Sequence, residues 1–424
     1  MLKTLLFIAA FACLAGAASA QLLPGVGETL GNAVPNTLGG ARDTAQGALN
    51  TTTDALRNAR ETVTNELVRA HRDVVDTDNH GFPVVRHEVV AIAPTDAALN
   101  AARARGFSVT ETVESRELGL TVMVLSAPPG MSTRRALALL RQIDPQGAYD
   151  YNHIYLGAGP RQGAPKQTAQ SHGGAASGVR IGLIDSGVDA SHPAFTNVAL
   201  EQRGFASARA LADAHGTAVA SLITGADPNA ALLVADVYGG EPTGGGAVAI
   251  IAAMAWLAQS HAAVINVSLV GPPNRALEAA IRAAVARGIV VVAAVGNDGP
   301  SAPPLYPASY PGVVGVTGVD AHNRVLPEAG RGEQVDFAAP GAEITAAAPG
   351  GRYANVRGTS FAAPIVAGLI ARDLSARDPS AAARAQAALA RSATDLGARG
   401  VDHVYGAGLV GAELRTAMQT LARR

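Results

Sequence analysis

From residue 179 onward, short apolar runs alternate with alanine-rich segments of helical length. The runs are apolar at consecutive positions rather than at every second one, which is typical of strands that are covered on both faces of a sheet. The predicted strands are Val179–Ile184, Ala231–Val237, Ala263–Leu269, Ile289–Val295 and Val313–Val319. The predicted helices are Gly216–Ile223, Gly246–Ser260, Arg275–Arg287 and Ser360–Leu374. Residues 178–424 are therefore predicted to form an α/β domain, a mainly parallel sheet with helices on both faces.

A smaller unit with a different pattern precedes this domain, at residues 83–156. Its apolar periodicity changes in the order strand, helix, strand, strand, helix, strand. Thr95 and Ser132 are suitable N-caps for the two helices, and Gly106 stands where helices commonly end in glycine. This order predicts a small α+β, ferredoxin-like domain. Residues 157–177, rich in Gly, Ala, Gln and Ser, are interpreted as a linker.

The N-terminus has the layout of a secretory signal peptide over residues 1–20. Lys3 precedes an apolar run from Leu5 to Ala15, and Ala18-Ser-Ala20 forms a small-residue cleavage site before Gln21. The apolar run is shorter than the roughly 20 residues that a membrane-spanning helix needs, and no later stretch is long enough to be a transmembrane segment. We expect export to the periplasm or the medium after cleavage near Ala20-Gln21. A buried N-terminal helix is the alternative interpretation.

Residues 21–80 are predicted to form a lead segment between the signal peptide and the small domain. A low-complexity stretch gives way, from about residue 42 to residue 76, to a helical pattern. Its apolar residues are Leu49, Leu56 and Val63, which recur every seven residues, joined by Leu67 and Val74. This apolar stripe is narrow. It suits a helix that docks on a partner or on the protein's own body, and it suits a solvated spacer equally well.

Composition excludes several classes of function. The chain carries 33 basic and 34 acidic side chains and no long basic block, so neither nucleic acid nor an anionic membrane surface is an expected partner. The single cysteine, Cys13, lies in the predicted signal peptide, which leaves the mature chain without disulfides or cysteine ligands. Asp227 and Asn229, which follow the predicted helix after His215, could ligate a hard cation. They supply far fewer oxygens than the roughly six to eight that calcium takes. We expect no metal and no cofactor.

Three side chains suited to nucleophilic catalysis lie at predicted ends of strands and beginnings of helices. Asp185 follows the first strand of the α/β domain, and His215 and Ser360 each stand at the start of a helix beside glycine. Catalytic groups gather at the carboxyl ends of the strands in an open parallel sheet. A serine hydroxyl becomes a good nucleophile when an imidazole removes its proton and a carboxylate orients that imidazole. Taken singly, each residue is more simply explained as a turn or cap residue.

Five segments in order carry a resemblance to one family, the subtilisin-like serine proteases. They are Asp185-Ser-Gly-Val, His215-Gly-Thr-Ala-Val-Ala, Ile265-Asn-Val-Ser-Leu269, Ala293-Ala-Val-Gly-Asn297-Asp-Gly and Gly358-Thr-Ser-Phe-Ala-Ala-Pro364. The order Asp, His, Ser is the one found in this family. The resemblance implies a serine endopeptidase that acts on polypeptides. It implies that Asp185, His215 and Ser360 form the catalytic triad and that Asn297 donates to the oxyanion.

The resemblance also assigns substrate-binding positions to Ser268, Leu269, Val270, Ala294 and Leu305. Val270 stands where the family usually has glycine, and Leu305 stands where a small residue commonly lines the pocket base. We therefore expect a narrowed channel and a preference for small or medium side chains at P1, the residue before the cleaved bond. The alternative is that the Leu305 side chain points elsewhere.

Subtilisin-like enzymes of this kind carry a propeptide with the fold predicted for residues 83–156. The resemblance implies that this domain is an intramolecular inhibitor and is removed by self-cleavage, after Tyr155 or, if the pocket is small, after Ala158. A permanently attached accessory domain is the alternative interpretation.

Other classes of function make different predictions. A catalytically silent binding protein would keep the fold without reacting with a fluorophosphonate. If the helix at residues 42–76 were the functional centre, its deletion would change the oligomeric state. An α/β-hydrolase esterase is excluded, because the chain has no G-x-S-x-G motif and that fold requires the serine before the other two residues.

Overall fold

The computed structural model describes residues 53–58, 60–157, 167–168, 171, 178–374 and 377–415. The predicted signal peptide, the low-complexity stretch after it and most of the predicted linker lie outside the described residues. Within the described part of the chain, no helix combines the length and the apolar character needed to cross a membrane.

The N-terminal domain is built on a five-stranded antiparallel sheet. Along the sheet the strand order is β1-β2-β4-β3, and β5 also pairs with β2. The strands are β1 (Val75–Thr77), β2 (Pro83–Ile92), β3 (Ser108–Ser115), β4 (Leu120–Ser126) and β5 (Ala148–His153). The two helices are α1 (Asp96–Arg103) and α2 (Thr133–Ile143). The predicted small α+β fold is confirmed.

The helix caps of this domain are those that the sequence indicated. The backbone N–H of Ala98 donates to Thr95 Oγ1 at 3.1 Å, and that of Arg135 donates to Ser132 Oγ at 3.4 Å. Each cap satisfies an N–H that has no partner inside its own helix. Beyond α1 the chain turns at Gly106, whose φ of 87° is a conformation that glycine adopts without steric cost.

A leading helix, residues 53–58 and 60–70, precedes the sheet. The prediction that the helix continues to Asp76 is wrong. Val75 and Asp76 belong to β1, where pairing opposite Val85 and Val84 gives their backbone groups partners.

The docked face of the leading helix matches the predicted apolar stripe in part, through Leu67. The stripe residue Val63 is 52% exposed, whereas Thr53 and Thr64 are buried. Leu67 and Val68 pack against the core around Ile154. The helix therefore docks on the protein's own body, one of the three outcomes that the sequence left open.

The second domain is built on a seven-stranded parallel sheet with the strand order β16-β15-β14-β12-β8-β11-β9. Its strands are β8 (Arg180–Asp185), β9 (Leu200–Gly204), β11 (Ala231–Asp236), β12 (Val264–Val267), β14 (Val290–Ala294), β15 (Val313–Val319) and β16 (Phe337–Pro340). Its helices are α3 (Ala214–Ala226), α4 (Ala247–Gln259), α5 (Arg275–Ala286), α6 (Thr359–Asp373) and α7 (Pro379–Ser392). The predicted mainly parallel α/β architecture is confirmed.

Three short antiparallel pairs surround the parallel sheet. They are β6 (Leu156–Gly157) with β13 (Leu269–Val270), β7 (Gln167–Thr168) with β10 (Leu211–Ala212), and β17 (Ala342–Ala348) with β18 (Arg352–Arg357). The first of these pairs joins the end of the N-terminal domain to the α/β domain.

Two layers of helices cover the parallel sheet. On one face, α3 and α6 pack through residues such as Leu222 and Ile370. On the other face, α4 and α5 lie between the parallel sheet and the N-terminal sheet, and Val90 and Val124 of that sheet join the same apolar core. The N-terminal domain therefore rests on helices whose inner faces already pack against the main sheet.

Candidate active site

Asp185 and His215 form a buried pair at the carboxyl end of β8. Both carboxylate oxygens of Asp185 lie 2.9 Å from His215 Nδ1, and the Asp185 side chain has no exposed surface. A carboxylate at this distance accepts the Nδ1 proton and fixes the tautomer in which Nε2 is the basic nitrogen. The His215 ring also lies against Phe361, with ring centroids 5.3 Å apart, directly beside Ser360.

The start of α3 holds His215 in place through a cap and a close backbone contact. Asp213 caps the helix, and its Oδ1 accepts from the backbone N–H of His215 at 3.1 Å. A Cβ atom at Gly216 would lie 2.3 Å from the carbonyl oxygen of Ser186, so only glycine fits there. Ser186 Oγ accepts from the Gly216 N–H at 3.0 Å, which ties the helix to the turn after Asp185.

Ser360 is the second residue of α6 and is fully buried. Its Oγ donates to the carbonyl oxygen of Ser268 at 3.3 Å, and Ser268 Oγ donates back to the Ser360 carbonyl at 3.0 Å. Asn266 Nδ2 donates to Ser268 Oγ at 2.9 Å. The predicted substrate-binding residue Ser268 thus holds the backbone of Ser360, and Asn266 orients Ser268. The sequence analysis assigned no role to Asn266, although it lies in the segment Ile265-Asn-Val-Ser that carried the resemblance.

Asn297 lies in the loop after β14, facing the start of α6. Its Oδ1 accepts from the backbone N–H of Thr359 at 3.2 Å, while Thr359 Oγ1 accepts from the Gly296 N–H at 3.2 Å. Because the amide oxygen is taken, the side-chain NH₂ of Asn297 is the group available as a donor. Thr359, which the sequence analysis did not single out, is the residue that sets this orientation.

The predicted substrate-binding residues line the path of the chain that leaves the N-terminal domain. Leu269 pairs with Gly157 and Val270 with Leu156, in antiparallel register. On the other side, the Tyr155 N–H donates to the carbonyl oxygen of Gly245 at 2.8 Å. Residues 154–157 therefore lie as a strand between two segments of the α/β domain, an arrangement in which main-chain hydrogen bonds supply much of the affinity.

Two further predicted positions lie deeper in the domain. Ala294 is the buried last residue of β14. Leu305 is buried, and its Cδ1 lies where it would be 2.7 Å from a Cβ added at Gly296. The Leu305 side chain therefore points toward the residue before Asn297, and not away from it.

The ends of the strands near Asp185 carry a second buried carboxylate. Asp236 lies opposite Asp185 in the register of β8 and β11. Burial raises the pKa of Asp236, opposed by hydrogen bonds from the backbone of Gly239, Leu211 and Tyr238. These three N–H groups use both carboxylate oxygens, so Asp236 anchors backbone.

Asp227 and Asn229 contact one another without forming a larger cluster of ligands. Asp227 Oδ1 accepts from the backbone N–H of Asn229 at 3.1 Å. Across the described residues, no group of three or more His, Cys, Asp or Glu side chains is arranged to hold a metal ion.

The N-terminal domain contacts the α/β domain through the beginnings of two helices. Asp150 Oδ2 accepts from the Arg275 N–H at the start of α5, at 2.8 Å. Asn152 Oδ1 accepts from the Val248 N–H at the start of α4, at 3.1 Å. Side chains of β5 therefore satisfy N–H groups that would otherwise have no partner in their own helices. Sequence reasoning did not identify these residues, because a capping side chain from another domain leaves no local pattern.

Known proteins resemble the α/β domain closely. The sequence profile of the Subtilase family matches residues 176–408. Subtilisin from Bacillus pumilus is 36% identical over 268 residues, which cover 58% of this chain and 93% of that protein. Subtilisin E from Bacillus subtilis strain 168 is also 36% identical over 268 residues, covering 58% of this chain and 67% of that protein.

Among solved structures, fervidolysin from Fervidobacterium pennivorans, described as a keratinolytic enzyme related to subtilisin, has a similar fold. The TM-score is 0.64 at 20% identity, and the match covers 79% of this chain. The chain spans 61% of the length of fervidolysin.

The parallel α/β fold, the buried Asp–His pair and these relatives together define the class of protein. The chain belongs to the Subtilase family. It is a subtilisin-like serine endopeptidase, as the resemblance implied.

Proposed function

We propose that Ser360, His215 and Asp185 are the catalytic triad of this endopeptidase and that Asn297 stabilises the oxyanion. The observation that carries the proposal is the Asp185–His215 pair, in which both carboxylate oxygens lie 2.9 Å from Nδ1. In this pair Nε2 is the nitrogen that accepts a proton.

The reaction then proceeds in two halves. Ser360 Oγ attacks the carbonyl carbon of the scissile bond as its proton passes to His215 Nε2, and Asp185 stabilises the imidazolium. The Asn297 NH₂ and the Ser360 backbone N–H donate to the developing oxyanion. The imidazolium protonates the departing amine, and water, deprotonated by His215, hydrolyses the acyl-enzyme. In the described structure the Ser360 hydroxyl donates to Ser268, so it must rotate before attack.

Labelling with a fluorophosphonate tests this assignment. We expect the wild-type chain to be labelled and Ser360→Ala to lose both labelling and peptide hydrolysis. Ser108→Ala, the same change at an exposed serine of β3, is the matched control. Labelling that persists in Ser360→Ala would contradict the assignment, and a wild-type chain that is folded but unlabelled would favour the silent binding protein.

We further propose that residues 83–156 act as an intramolecular inhibitor whose tail occupies the substrate cleft. Support comes from the strand at residues 154–157, which pairs with both Gly246 and β13 as an extended substrate would. Tyr155 is fully buried, and its hydroxyl donates to the carbonyl oxygen of Pro272 at 2.7 Å. This anchoring favours self-cleavage beyond Tyr155.

Ala158 is the proposed self-cleavage residue. Gly157 is the last described residue of the tail strand, and it pairs with Leu269, the neighbour of Ser268. Ser268 in turn contacts Ser360. N-terminal sequencing is expected to show that the mature protein begins at Gly159. The Ser360→Ala chain is expected to remain uncut there. A mature N-terminus at Leu156 would contradict this site.

A preference for small or medium P1 residues is also proposed, supported by the position of Leu305. Leu305 fills space against Gly296, next to Asn297. Peptide-library profiling is expected to show cleavage after Ala or residues of similar size, and Leu305→Ala is expected to admit larger ones. Strong wild-type cleavage after Phe, Tyr or Trp would contradict this preference.

Export through the N-terminal signal is also proposed. N-terminal sequencing of an uncut Ser360→Ala chain tests it, and Gln21 is the expected first residue.

A further inference from the structure

The leading helix contacts the α/β domain separately from the N-terminal sheet and from the tail strand at residues 154–157. Arg60 forms an ion pair with Asp298 in which Nε lies 2.5 Å from Oδ2, and the two side chains are only 17% and 12% exposed. The backbone N–H of Ser301 donates to Thr53 Oγ1 at 3.2 Å. Both contacts fall on one loop, residues 298–301.

This loop directly follows the proposed oxyanion residue Asn297. Gly299, with a φ of 102°, faces the helix so closely that an added Cβ atom would lie 2.7 Å from Thr53 Cα. On its other side the loop is tied to the domain, because the Gly299 N–H donates to the carbonyl oxygen of Glu328 at 2.9 Å. The loop is thus held between its own domain and the leading helix, with no side chain between Gly299 and Thr53.

The leading helix also lines a cavity together with residues of the α/β domain. The cavity has a volume of about 530 Å³ and is lined by Arg60 and Thr64 of the helix, by Pro272 after β13, and by Pro304 and Leu305. The helix therefore forms one wall of a cavity that Leu305, the proposed pocket residue, also lines.

The helix stays connected to the N-terminal domain when the tail is cut. It precedes β1 in the chain, so cleavage after residue 158 leaves the sheet, the tail strand and the helix in one fragment. That fragment would bind the α/β domain at several separate sites simultaneously. Each contact then raises the effective concentration of the others. Asp298 depends on Arg60 as its ion-pair partner, and removal of one member of a poorly exposed pair leaves a charge that is costly to keep there.

We propose that the leading helix is a second inhibitory element, which closes the cleft beside Asn297 through the Arg60–Asp298 pair and slows release of the cut N-terminal fragment. The proposal rests on the proposed inhibitory role of residues 83–156. In this proposal, the partner of the surface at residues 298–301 is the leading helix of the same chain, which binds it through Arg60. Full activity requires the helix to leave this surface as well as the tail to leave the cleft.

The full chain carrying Arg60→Glu, Arg60→Lys or Arg69→Ala tests this proposal. Arg69 is an exposed arginine on the same helix and serves as the matched control. The measurements are the rate at which activity on a small peptide appears after self-cleavage, and the retention of the N-terminal fragment by size-exclusion chromatography at low and high salt. Arg60→Glu is expected to raise the rate about tenfold, which corresponds to about 1.4 kcal/mol. Arg60→Lys keeps the charge and is expected to stay closer to wild type.

Salt provides an independent readout. The wild-type chain is expected to release its fragment faster at high salt, because screening weakens the ion pair, and Arg60→Glu is expected to lose most of that dependence. The double variant Arg60→Glu with Asp298→Arg restores a pair of opposite charges and is expected to recover fragment retention.

Equal release rates in Arg60→Glu and Arg69→Ala would overturn the role of the helix. Tyr155→Ala, which removes the anchor of the tail, separates this failure from a failure of the proposed function. If Tyr155→Ala accelerates the onset of activity while Arg60→Glu does not, the inhibitory domain stands and the helix proposal is wrong. If neither variant changes the onset, the inhibitory role of residues 83–156 is itself wrong.

Discussion

The side chains of Asn297 and Ser360 are oriented by hydrogen bonds to backbone groups. The Thr359 N–H holds the Asn297 oxygen, and the carbonyl of Ser268 holds the Ser360 hydroxyl. Backbone atoms of buried elements move little, so they fix a side chain at less entropic cost than a second mobile side chain would. The chemistry proposed for this site therefore depends on the two loops that carry these groups.

Replacement of Asn297 by alanine tests the oxyanion role. We expect kcat to fall about 10²–10³-fold, a loss of about 2.7–4 kcal/mol of transition-state stabilisation. KM should change little, because the amide contacts the oxyanion and not the ground-state carbonyl. Steady-state kinetics beside Asn197→Ala, an exposed asparagine, provides the check. A kcat within a few-fold of wild type would remove Asn297 from the mechanism.

Asp189 gives rise to a pH-dependent contribution to stability. Burial alone raises the pKa of this carboxyl, but hydrogen bonds from Ser191 and from the Gly350 backbone outweigh it and lower the pKa below its ordinary value. The unfolded chain therefore binds this proton more tightly than the folded one. The resulting stabilisation is present above the unfolded pKa of about 3.9 and is lost as pH falls through the folded value.

Thermal unfolding of Ser360→Ala with and without Asp189→Asn measures this contribution. Between about pH 6 and pH 3, the parent chain is expected to lose more stability than the Asp189→Asn chain. Asp373→Asn, at an exposed carboxylate, is the control. Equal losses in the Asp189→Asn chain and its parent would show that Asp189 contributes nothing to the pH dependence.

At the scale of elements, helix α3 reaches its position only because one residue lacks a side chain. The helix begins against the turn after β8, and the Gly216 Cα lies close to Ser186. This contact sets how far His215 stands from Asp185.

Gly216→Ala is expected to push α3 away from the turn after β8. The new Cβ would meet the Ser186 carbonyl oxygen at 2.3 Å, so the backbone must shift. Because a displacement of about 1 Å can cost roughly 10²-fold in rate, we expect a loss of that order in kcat. Gly400→Ala is the control, because the added Cβ has open space there and the strain from its φ of 83° falls on an exposed residue outside the site. Unchanged kcat in Gly216→Ala would show that the turn adapts freely.

At the scale of the whole molecule, the N-terminal domain is bound to the α/β domain by apolar packing and by helix caps. Val90 and Val124 pack with residues of α4 and α5. Asn152 links Glu88 of its own domain, at 2.7 Å, to the Val248 N–H of the other. Apolar packing is largely non-directional, so the hydrogen bonds of the caps fix the orientation of the contact between the two domains.

Asn152→Ala is expected to weaken retention of the cut N-terminal fragment. The change leaves the Val248 N–H without its cap and Glu88 without its amide partner, and loss of a cap typically costs about 0.5–2 kcal/mol. Asn100→Ala, on the exposed face of α1, is the control. Co-elution of the two pieces after self-cleavage measures the effect, and identical retention in both variants would contradict it.

The sequence by itself determined most strands of the parallel sheet, most of the helices that cover it, and which residues are chemically competent. Continuous apolar runs predicted five strands of the parallel sheet, and the predicted strand ends agree with the observed ones to within two residues. The prediction works because burial on both faces leaves a purely local signal. The sequence pattern did not predict β9 and β16, whose polar or small residues lack that signal. It also did not predict α7, although Asp378 caps that helix and Pro379 is its first residue. The five segments around Asp185, His215 and Ser360 were sufficient for the family.

Only the tertiary structure decided what joins these parts. The leading helix ends earlier than its pattern suggests, because β1 pairs with β2. It binds through Arg60 as well as through part of its apolar stripe. The caps from Asp150 and Asn152 and the orientation of Leu305 join residues far apart in the chain. Periodicity and capping are read from neighbours along the chain, whereas these contacts depend on where folding brings distant segments together.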